Sequence, residues 1–474
     1  MSDPLEPMEN SGAPPRAPGP GEKITPRNFR GTRDFLPRDM IRREEIFDLL
    51  RRVFRKYGFA PLETPAMEYM EILLGKYGVE GEKLIYPLAY KGGNVLALRY
   101  DLTVPLARVV AQNPDLPLPF RRYQMQPVWR ADRPQLIQGR YREFYQCDAD
   151  IVGEAHLLAD AEVLALCAEV LAGLRVGSCK VRVNHRKVLQ GMVRESGLPD
   201  AAGPAVLRAV DKVDKVGVSG IEKELEAEGI EPAARSRLLD MLALPAGGAD
   251  AIRRLTEACG GNALIAEGCA ELATIWGYLE RLGLSLEPFE FRLDLARGLD
   301  YYTGAVFESF LAELPHVGSL TGGGRYDGLV GLFTEQEVPA VGTTIGLDRI
   351  LSALEQLGQA GERTTCTDVL VLMFAAESES AALRMAGRLR SAGINTEVWY
   401  RPDKLRKQMA QADRRGVPIV LLQGPDEAGR GEWTARRLAD GTQICIAEAQ
   451  VPEIILQWLD AKTGAGREDG ARVD

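Results

Sequence analysis

Apolar positions along the chain switch between a spacing of three to four and a spacing of two, and each switch predicts a change of element. Residues 39–57 carry Ile41, Ile46, Leu49, Leu50, Val53 and Phe54 at helical spacing and stop at Gly58, which predicts a helix with a glycine C-cap. Pro65 interrupts the extended segment that follows, and a second helix is expected from about Met67. A strand over 95–100 and a helix over 102–111 lead into two alternating runs, 122–129 and 141–150. These flank a stretch broken by Pro134 and Gly139, which together predict a long hairpin. An amphipathic helix over 155–174 then leads to a strand over 180–183.

From about 186 to 283 the pattern is helix after helix, rich in Ala, Leu, Glu and Arg. Strand character returns at 289–295, 304–310 and 318–323, and a helix over 347–357 closes this part. Such an order fits a mostly antiparallel sheet with helices around it, not a repeating βαβ unit. Beyond a polar linker the pattern does become βαβ, with strands at 369–374, 395–399 and 418–422 and helices at 378–392, 405–415 and 451–461. The expected organisation is a loose tail (1–24), a first sheet-bearing part (25–185), a helical insertion (186–284), a second sheet-bearing part (285–358), a linker (359–366), a small α/β domain (367–462) and a loose end (463–474).

Composition narrows the class. No apolar run approaches the roughly 20 residues that span a bilayer, and the Pro- and Gly-rich start has neither a hydrophobic signal core nor an Arg-rich amphipathic pattern. A cytoplasmic protein is expected. Seven cysteines without a CxxC pair suggest neither a zinc site nor a disulfide framework, and His156, His185 and His316 lie too far apart in sequence to suggest a metal site. A net charge of −9 argues against indiscriminate nucleic-acid binding but leaves room for confined basic surfaces, at 38–56, at 401–415 and in the hairpin.

The hairpin concentrates Arg122, Arg130, Arg133, Arg140 and Arg142. Because every second strand residue shares a face, Arg130, Gln146 and Asp150 can project into one cleft, a guanidinium for phosphate or carboxylate beside polar groups for a small substrate. A ribbon with a solvated charged face is the other reading. LRYDLT, 98–103, sets Asp101 and Thr103 after a strand, suited to an ammonium group or to capping of a helix by Asp101. RGLDYYTG, 297–304, joins charge, two tyrosines and turn glycines, or is a strand turning at glycines. TGGGRYDGL, 321–329, lets backbone approach a ligand closely, or makes a tight connection. GTTIGLDRIL, 342–351, is a glycine strand entering a helix with Arg349 in its first turn, where an arginine is otherwise a surface residue.

Taken together and in this order, from residue 29 onward, these motifs resemble the histidyl-tRNA synthetase family of the class II aminoacyl-tRNA synthetases. The Pro65 segment resembles the class's motif one, the hairpin motif two and residues 342–351 motif three, while RGLDYYTG and GGGRYDGL resemble the two signatures of the histidine enzymes. LRYDLTVP and GRYREFYQCDAD are similar to the eukaryotic-type branch. Asp132 stands where many class II enzymes carry Glu, and Asp101 and Asp150 replace Glu of the bacterial pattern.

The resemblance implies an α+β and α/β multidomain fold: a class II antiparallel sheet with flanking helices and a helical insertion, plus a C-terminal α/β anticodon-binding domain. It implies activation of histidine with ATP and Mg²⁺ and transfer to tRNA(His). Arg130 and Arg297 would be catalytic, and Arg130, Asp132, Arg297 and Arg349 would hold ATP. Asp101, Thr103, Gln146, Asp150, Tyr301, Tyr302 and Tyr326 would surround histidine. Arg133, Arg140 and Arg142 would meet the acceptor end, and Arg401, Lys404, Arg406 and Arg414 the anticodon side. No protein ligand for Mg²⁺ is implied. A homodimer through the Pro65 region is expected, and neither a membrane nor DNA as partner. The rival reading is a synthetase-like, histidine-binding regulatory subunit of ATP phosphoribosyltransferase, which would need neither the ATP arginines nor an anticodon domain.

Overall fold

The computed structural model describes residues 23–74, 81–89, 93, 95–296, 301–359, 361 and 363–464. The expected loose ends fall largely outside these residues, as does Arg297. In chain order the first strands are β1 (Ala60–Pro61), β2 (Met67–Tyr69), β3 (Pro87–Leu88), β4 (Leu96–Leu98), β5 (Phe120–Trp129) and β6 (Glu143–Val152). They are followed by β7 (Cys179–His185), β8 (Phe289–Phe291), β9 (Ala305–Leu311), β10 (Thr321–Arg325) and β11 (Ala340–Gly346).

The helix Pro37–Lys56 starts with proline at its first turn, where the fixed φ suits a helix and no N–H is missed. It buries Ile46, Phe47, Leu50, Val53 and Phe54. The helix expected from Met67 is instead β2 followed by a single turn, Met70–Leu73. Met67 and Tyr69 are exposed while Glu68 is buried, the period of two that antiparallel pairing of Met67 with Leu98 imposes. With β3, these strands make a small separate sheet, β2-β4-β3.

The main sheet has eight strands in the order β1-β5-β6-β11-β10-β9-β7-β8. Pairing is parallel only at β1–β5 and β7–β8 and antiparallel between. One face packs on helices: Tyr123, Cys147, Ala149, Ile151, Val341, Ile345 and Phe307 join a core with the helices Pro37–Lys56, Leu158–Leu174 and Ala263–Arg281. The alternate positions of the same strands are therefore left for the other face.

The stretch from Arg186 to Arg281 is helical, with a core of its own around Leu189, Met192, Val206, Leu207, Val210, Ile221 and Leu238. Its last two helices, Ala249–Cys259 and Ala263–Arg281, pack through Ile252, Leu255, Leu272, Ile275 and Trp276 into the core of the main sheet.

The C-terminal part is a five-stranded sheet, with β12 (Val369–Val371), β13 (Thr396–Val398), β14 (Ile419–Leu422), β15 (Glu432–Arg437) and β16 (Gln443–Ala447) in the order β13-β12-β14-β15-β16. The first three are parallel, as the βαβ pattern predicts, and β15 and β16 run antiparallel. These last two are absent from the sequence reading. EWTARR has charge at both ends and only Trp433, Thr434 and Ala435 buried, so the sheet's pairing, not residue preference, makes it a strand. Among the described residues no helix is long and apolar enough to cross a membrane.

Candidate active site

The open face of the main sheet is laid out in rows. Arg122 pairs across β5 and β6 with Asp150, which pairs with Gly342 of β11, which pairs with Gly324 of β10. The next row is Gln124, Asp148, Thr344 and Gly322, and the next Gln126, Gln146 and Gly346. Polar side chains thus stand on β5 and β6 and sink to glycines on β10 and β11. The hollow depends on those glycines: a Cβ on Gly342 would lie 1.9 Å from Asp150 Oδ1.

Two adjoining cavities occupy the hollow. The smaller, about 60 Å³, is lined by Asp101, Thr103, Gln146, Asp150, Tyr301, Tyr302 and Tyr326. Every residue that the resemblance assigns to histidine is therefore in one place. Asp150 lies 2.9 Å from Arg122 Nη2, and Tyr326 Oη donates to its Oδ1. Thr344 Oγ1 donates to Asp148 Oδ1 at 2.7 Å, and Gln146 Nε2 donates to Thr344 Oγ1 at 3.2 Å. Gln146 Oε1 is a buried acceptor with no hydrogen-bond partner among the described residues, and Asp150 Oδ2 is the oxygen that faces Arg122 Nη2. Asp101 also performs the capping role, since its Oδ1 accepts from Val104 N at 3.1 Å at the start of the helix Thr103–Gln112.

Burial shapes the protonation of these groups. It pushes the Tyr301 phenol up to about 12 and the Tyr302 and Tyr326 phenols well above their ordinary value, so all three keep their protons at neutral pH. Burial also raises the carboxyls of Asp148 and Asp150, and the Arg122 guanidinium beside them pulls both back.

The larger cavity, about 310 Å³, is lined by Arg130, Asp132, Arg133, Arg140 and Arg349. Arg130 and Gln146 border both cavities. Arg130 Nε donates to Tyr100 O at 3.1 Å, and its guanidinium lies over the Tyr100 ring at 4.3 Å. Arg349 Nη1 donates to Ser319 O and Ser319 Oγ at 2.7 and 2.9 Å. Arg142, in contrast, ties the base of the hairpin loop, donating to Asp132 O at 3.1 Å and Arg30 O at 3.3 Å. Gly139 has φ 66°, and a Cβ there would press 2.8 Å from Asp348 O, so the loop lies flat against the helix Leu347–Gln356.

Arg401, Lys404, Arg406 and Arg414 lie apart from both cavities, on or beside the helix Leu405–Arg414 of the five-stranded sheet. Two groups of site residues escaped the sequence reading. Arg122 belongs to the arginine hairpin, but the pattern assigns it no partner, and Asp148 lies between Gln146 and Asp150 on the same face. The second group surrounds Asp348, whose carboxylate accepts from Arg33 Nη2 at 2.8 Å, Arg43 Nη1 at 3.5 Å and Tyr145 N at 3.0 Å. It anchors the residue before Arg349, and no local pattern links positions so distant in sequence.

A family model described as histidyl-tRNA synthetase matches residues 31–350. The chain belongs to the histidyl-tRNA synthetase family. A second model, an anticodon binding domain, matches residues 368–458. The fold is accordingly a class II catalytic domain with an antiparallel-rich sheet, plus a C-terminal α/β anticodon-binding domain. The histidine–tRNA ligase of Gloeobacter violaceus is 40% identical over 457 residues, covering 90% of this chain and 97% of that relative. The cytoplasmic histidine–tRNA ligase of Dictyostelium discoideum is 38% identical over 452 residues, covering 93% of each. The crystal structure of histidyl-tRNA synthetase from Nostoc sp. PCC 7120 superposes with a TM-score of 0.83 at 32% identity, covering 92% of this chain and all of that one.

Proposed function

We infer that the two cavities divide the first step of histidine–tRNA ligation between them, with Arg130 at their junction. The observation that carries this reading is the meeting of one guanidinium with both a small polar pocket and a larger arginine-lined cleft. In the small pocket, Gln146 presents a buried acceptor, Asp150 a carboxylate that also meets Arg122 and Tyr326, and Tyr301 and Tyr302 phenol hydroxyls, a set that suits an imidazole with one N–H and one bare nitrogen. An apolar side chain there would leave these groups unpaired, which is how such a site rejects it. Asp101 and Thr103 would face the ammonium and carboxylate end.

In the cleft, Arg349 would hold the γ-phosphate and Asp132 would meet the nucleotide, while Arg130 bridges the histidine carboxylate and the α-phosphate of ATP. Attack of the carboxylate oxygen on that phosphorus expels pyrophosphate, and fixed cations stabilise the developing charge. Arg297 would act on the α-phosphate from the other side. Mg²⁺ would enter with the nucleotide, neutralising β- and γ-phosphate oxygens. Among the described residues no group of three or more His, Cys, Asp or Glu is placed to hold a metal ion, and we assign none as a ligand. The ribose hydroxyl at the tRNA 3′ end then attacks the adenylate carbonyl and AMP leaves. Arg133 and Arg140 line the cleft where that end would arrive, with Arg142 holding the loop's base.

Histidine-dependent exchange of pyrophosphate into ATP tests this reading. Exchange that appears with histidine and not with other amino acids is expected; a chain that binds histidine without exchange would belong to the regulatory class instead.

Other features bear on the branch, compartment and assembly. The wording of LRYDLTVP and GRYREFYQCDAD supports the eukaryotic-type branch, while the Gloeobacter relative is 40% identical and the Dictyostelium relative 38%. A cytoplasmic location accords with the named Dictyostelium relative. Met67, Tyr69 and Val95 are 57%, 50% and 61% exposed on and beside the small sheet after Pro65, an apolar patch suited to a second copy of the chain. Sedimentation should show a dimer that Tyr69→Lys with Val95→Lys weakens; an active monomer would remove this assignment.

A further inference from the structure

We infer that Arg33 is a positioning residue for ATP: it ties Tyr141 of the hairpin loop to Asp348 beside Arg349 and so sets the width of the larger cavity; this rests on the reading of that cavity as the ATP cleft. Arg33 belongs to the segment before the helix Pro37–Lys56, and no motif gives it a task. The segment turns at residues 29–32, where Thr32 N and Thr32 Oγ1 both donate to Phe29 O, at 3.0 and 2.8 Å. It lies against the hairpin loop: Gly31 O accepts from Arg142 N at 2.8 Å, and a Cβ on Gly31 would come 2.6 Å from Pro134 Cγ. Gly31 has φ 88°, so both its backbone and this close approach call for glycine.

Two nitrogens of one guanidinium make the tie. Arg33 Nη1 donates to Tyr141 Oη and Nη2 to Asp348 Oδ1, each at 2.8 Å. The same group lies over the Phe35 ring at 4.3 Å and the Tyr141 ring at 3.9 Å, contacts that fix where its fork points. A planar fork held against aromatic faces is what arginine supplies and lysine does not. Tyr141, Asp348 and Arg349 all line the larger cavity, and the smaller one is lined by none of them. The tie therefore acts on the nucleotide side of the site and leaves the histidine side alone.

Other contacts fasten the loop elsewhere. At its tip, Ile137 O accepts from Ser352 Oγ at 3.1 Å and from Gln356 Nε2 at 3.2 Å, and at its base Arg142 donates to Asp132 O and Arg30 O. Arg33 fastens the leg between tip and base. On the helix side, Asp348 keeps Tyr145 N at 3.0 Å and Arg43 Nη1 at 3.5 Å when Arg33 is replaced, so its buried carboxylate still has a cation. The Arg33 side chain is 32% exposed and that of Arg43 only 2%. Arg33 is thus the partner that can be lost with the fold intact, and its loss frees Tyr141 to move relative to Arg349. A binding group held by less than its full set of supporting contacts meets its ligand off the productive geometry.

The test measures histidine-dependent pyrophosphate exchange, with ATP and histidine varied separately, in the full-length unaltered chain, Arg33→Met, Arg33→Lys, Arg349→Ala and the double variant Arg33→Met with Arg349→Ala. Arg33→Met should raise KM for ATP about tenfold, the order of one coupling within a hydrogen-bonded network. The histidine KM and kcat should stay within about twofold, because what is lost is nucleotide binding common to ground and transition state. Arg33→Lys, with a cation but no fork, should fall between Arg33→Met and the unaltered chain. If Arg33 acts through the wall that carries Arg349, the double variant should raise KM for ATP by less than the product of the two single effects. The proposal is overturned if Arg33→Met leaves KM for ATP unchanged while Arg349→Ala raises it, if Arg33→Lys matches the unaltered chain, if the histidine KM rises equally, or if the single effects multiply. Should Arg33→Met fail to fold, Arg33→Lys alone is judged by the same readings. An Arg349→Ala chain with an unaltered KM for ATP would remove the cleft reading and the proposal with it, a result distinct from failure of Arg33 alone.

Discussion

Arg122→Met is expected to lower folding stability by about 3–5 kcal/mol, the range for breaking a buried ion pair by removing one partner. Methionine fills much of the space, so the loss is electrostatic. Arg122 is 0% exposed and lies 2.9 Å from Asp150 and 3.9 Å from Asp148, with a further bond to Leu102 O at 3.3 Å. Without it, two carboxylates remain side by side in a buried hollow with no cation. The exposed pair Lys56–Glu169 supplies the contrast: Lys56→Met should change stability by less than about 1 kcal/mol.

The deficit should depend on pH in a definite sense. Burial already raises the folded-state carboxyls of Asp148 and Asp150 above their ordinary values, and Arg122 opposes that rise. A carboxyl raised in the folded state holds its proton there preferentially, so the stability it lends is present in acid and lost as pH climbs through the folded value. Removing Arg122 raises these values further. The gap between Arg122→Met and the unaltered chain should therefore be small in acid and widen toward neutral pH, measured by urea midpoints across that range. At neutral pH the histidine KM should rise by about 10- to 100-fold, because Asp150 loses the cation that orients it and favours its charged form. Unchanged urea midpoints together with an unchanged histidine KM would show that Arg122 does not hold the pocket together.

Arg122 also marks the limit of what the sequence made legible. Alternation put Gln146 and Asp150 on one face, and by the same rule Asp148; the glycines of TGGGR and GTTIG signalled close backbone approach. Which residue of β5 stands opposite Asp150, however, depends on the exact length of the loop between the strands. Pro134 and Gly139 announce a break without counting its residues, and a slip of one position would turn Arg122 to the other face. Arg33 and Asp348 meet only because the sheet carries β11 next to β6, a neighbour relation that periodicity does not encode. The missed strands β15 and β16 have the same cause: Trp433 and Ala435 are buried by what packs on them.

Arg130→Ala should reduce histidine-dependent exchange by about 10²–10³, the usual consequence of deleting one preorganised stabiliser of developing charge. The position leaves little room for substitution. Its Nε is committed to Tyr100 O and its plane lies over the Tyr100 ring, so the terminal nitrogens are held toward the junction of the two cavities. A contact that strengthens as the carboxylate meets the α-phosphate belongs to the transition state, and its loss should fall more on kcat than on KM for ATP. Lysine places a single point charge where a fork can bridge two oxygens, so Arg130→Lys should recover only part of the rate. Binding of tRNA(His) should remain, because Arg133, Arg140 and the exposed cations Arg401, Lys404 and Arg406 are untouched. Normal exchange by Arg130→Ala would remove this residue from the chemistry. Equal losses in exchange and tRNA binding would instead mean that the hairpin had lost its shape, which the folded signature of Arg130→Lys would reveal.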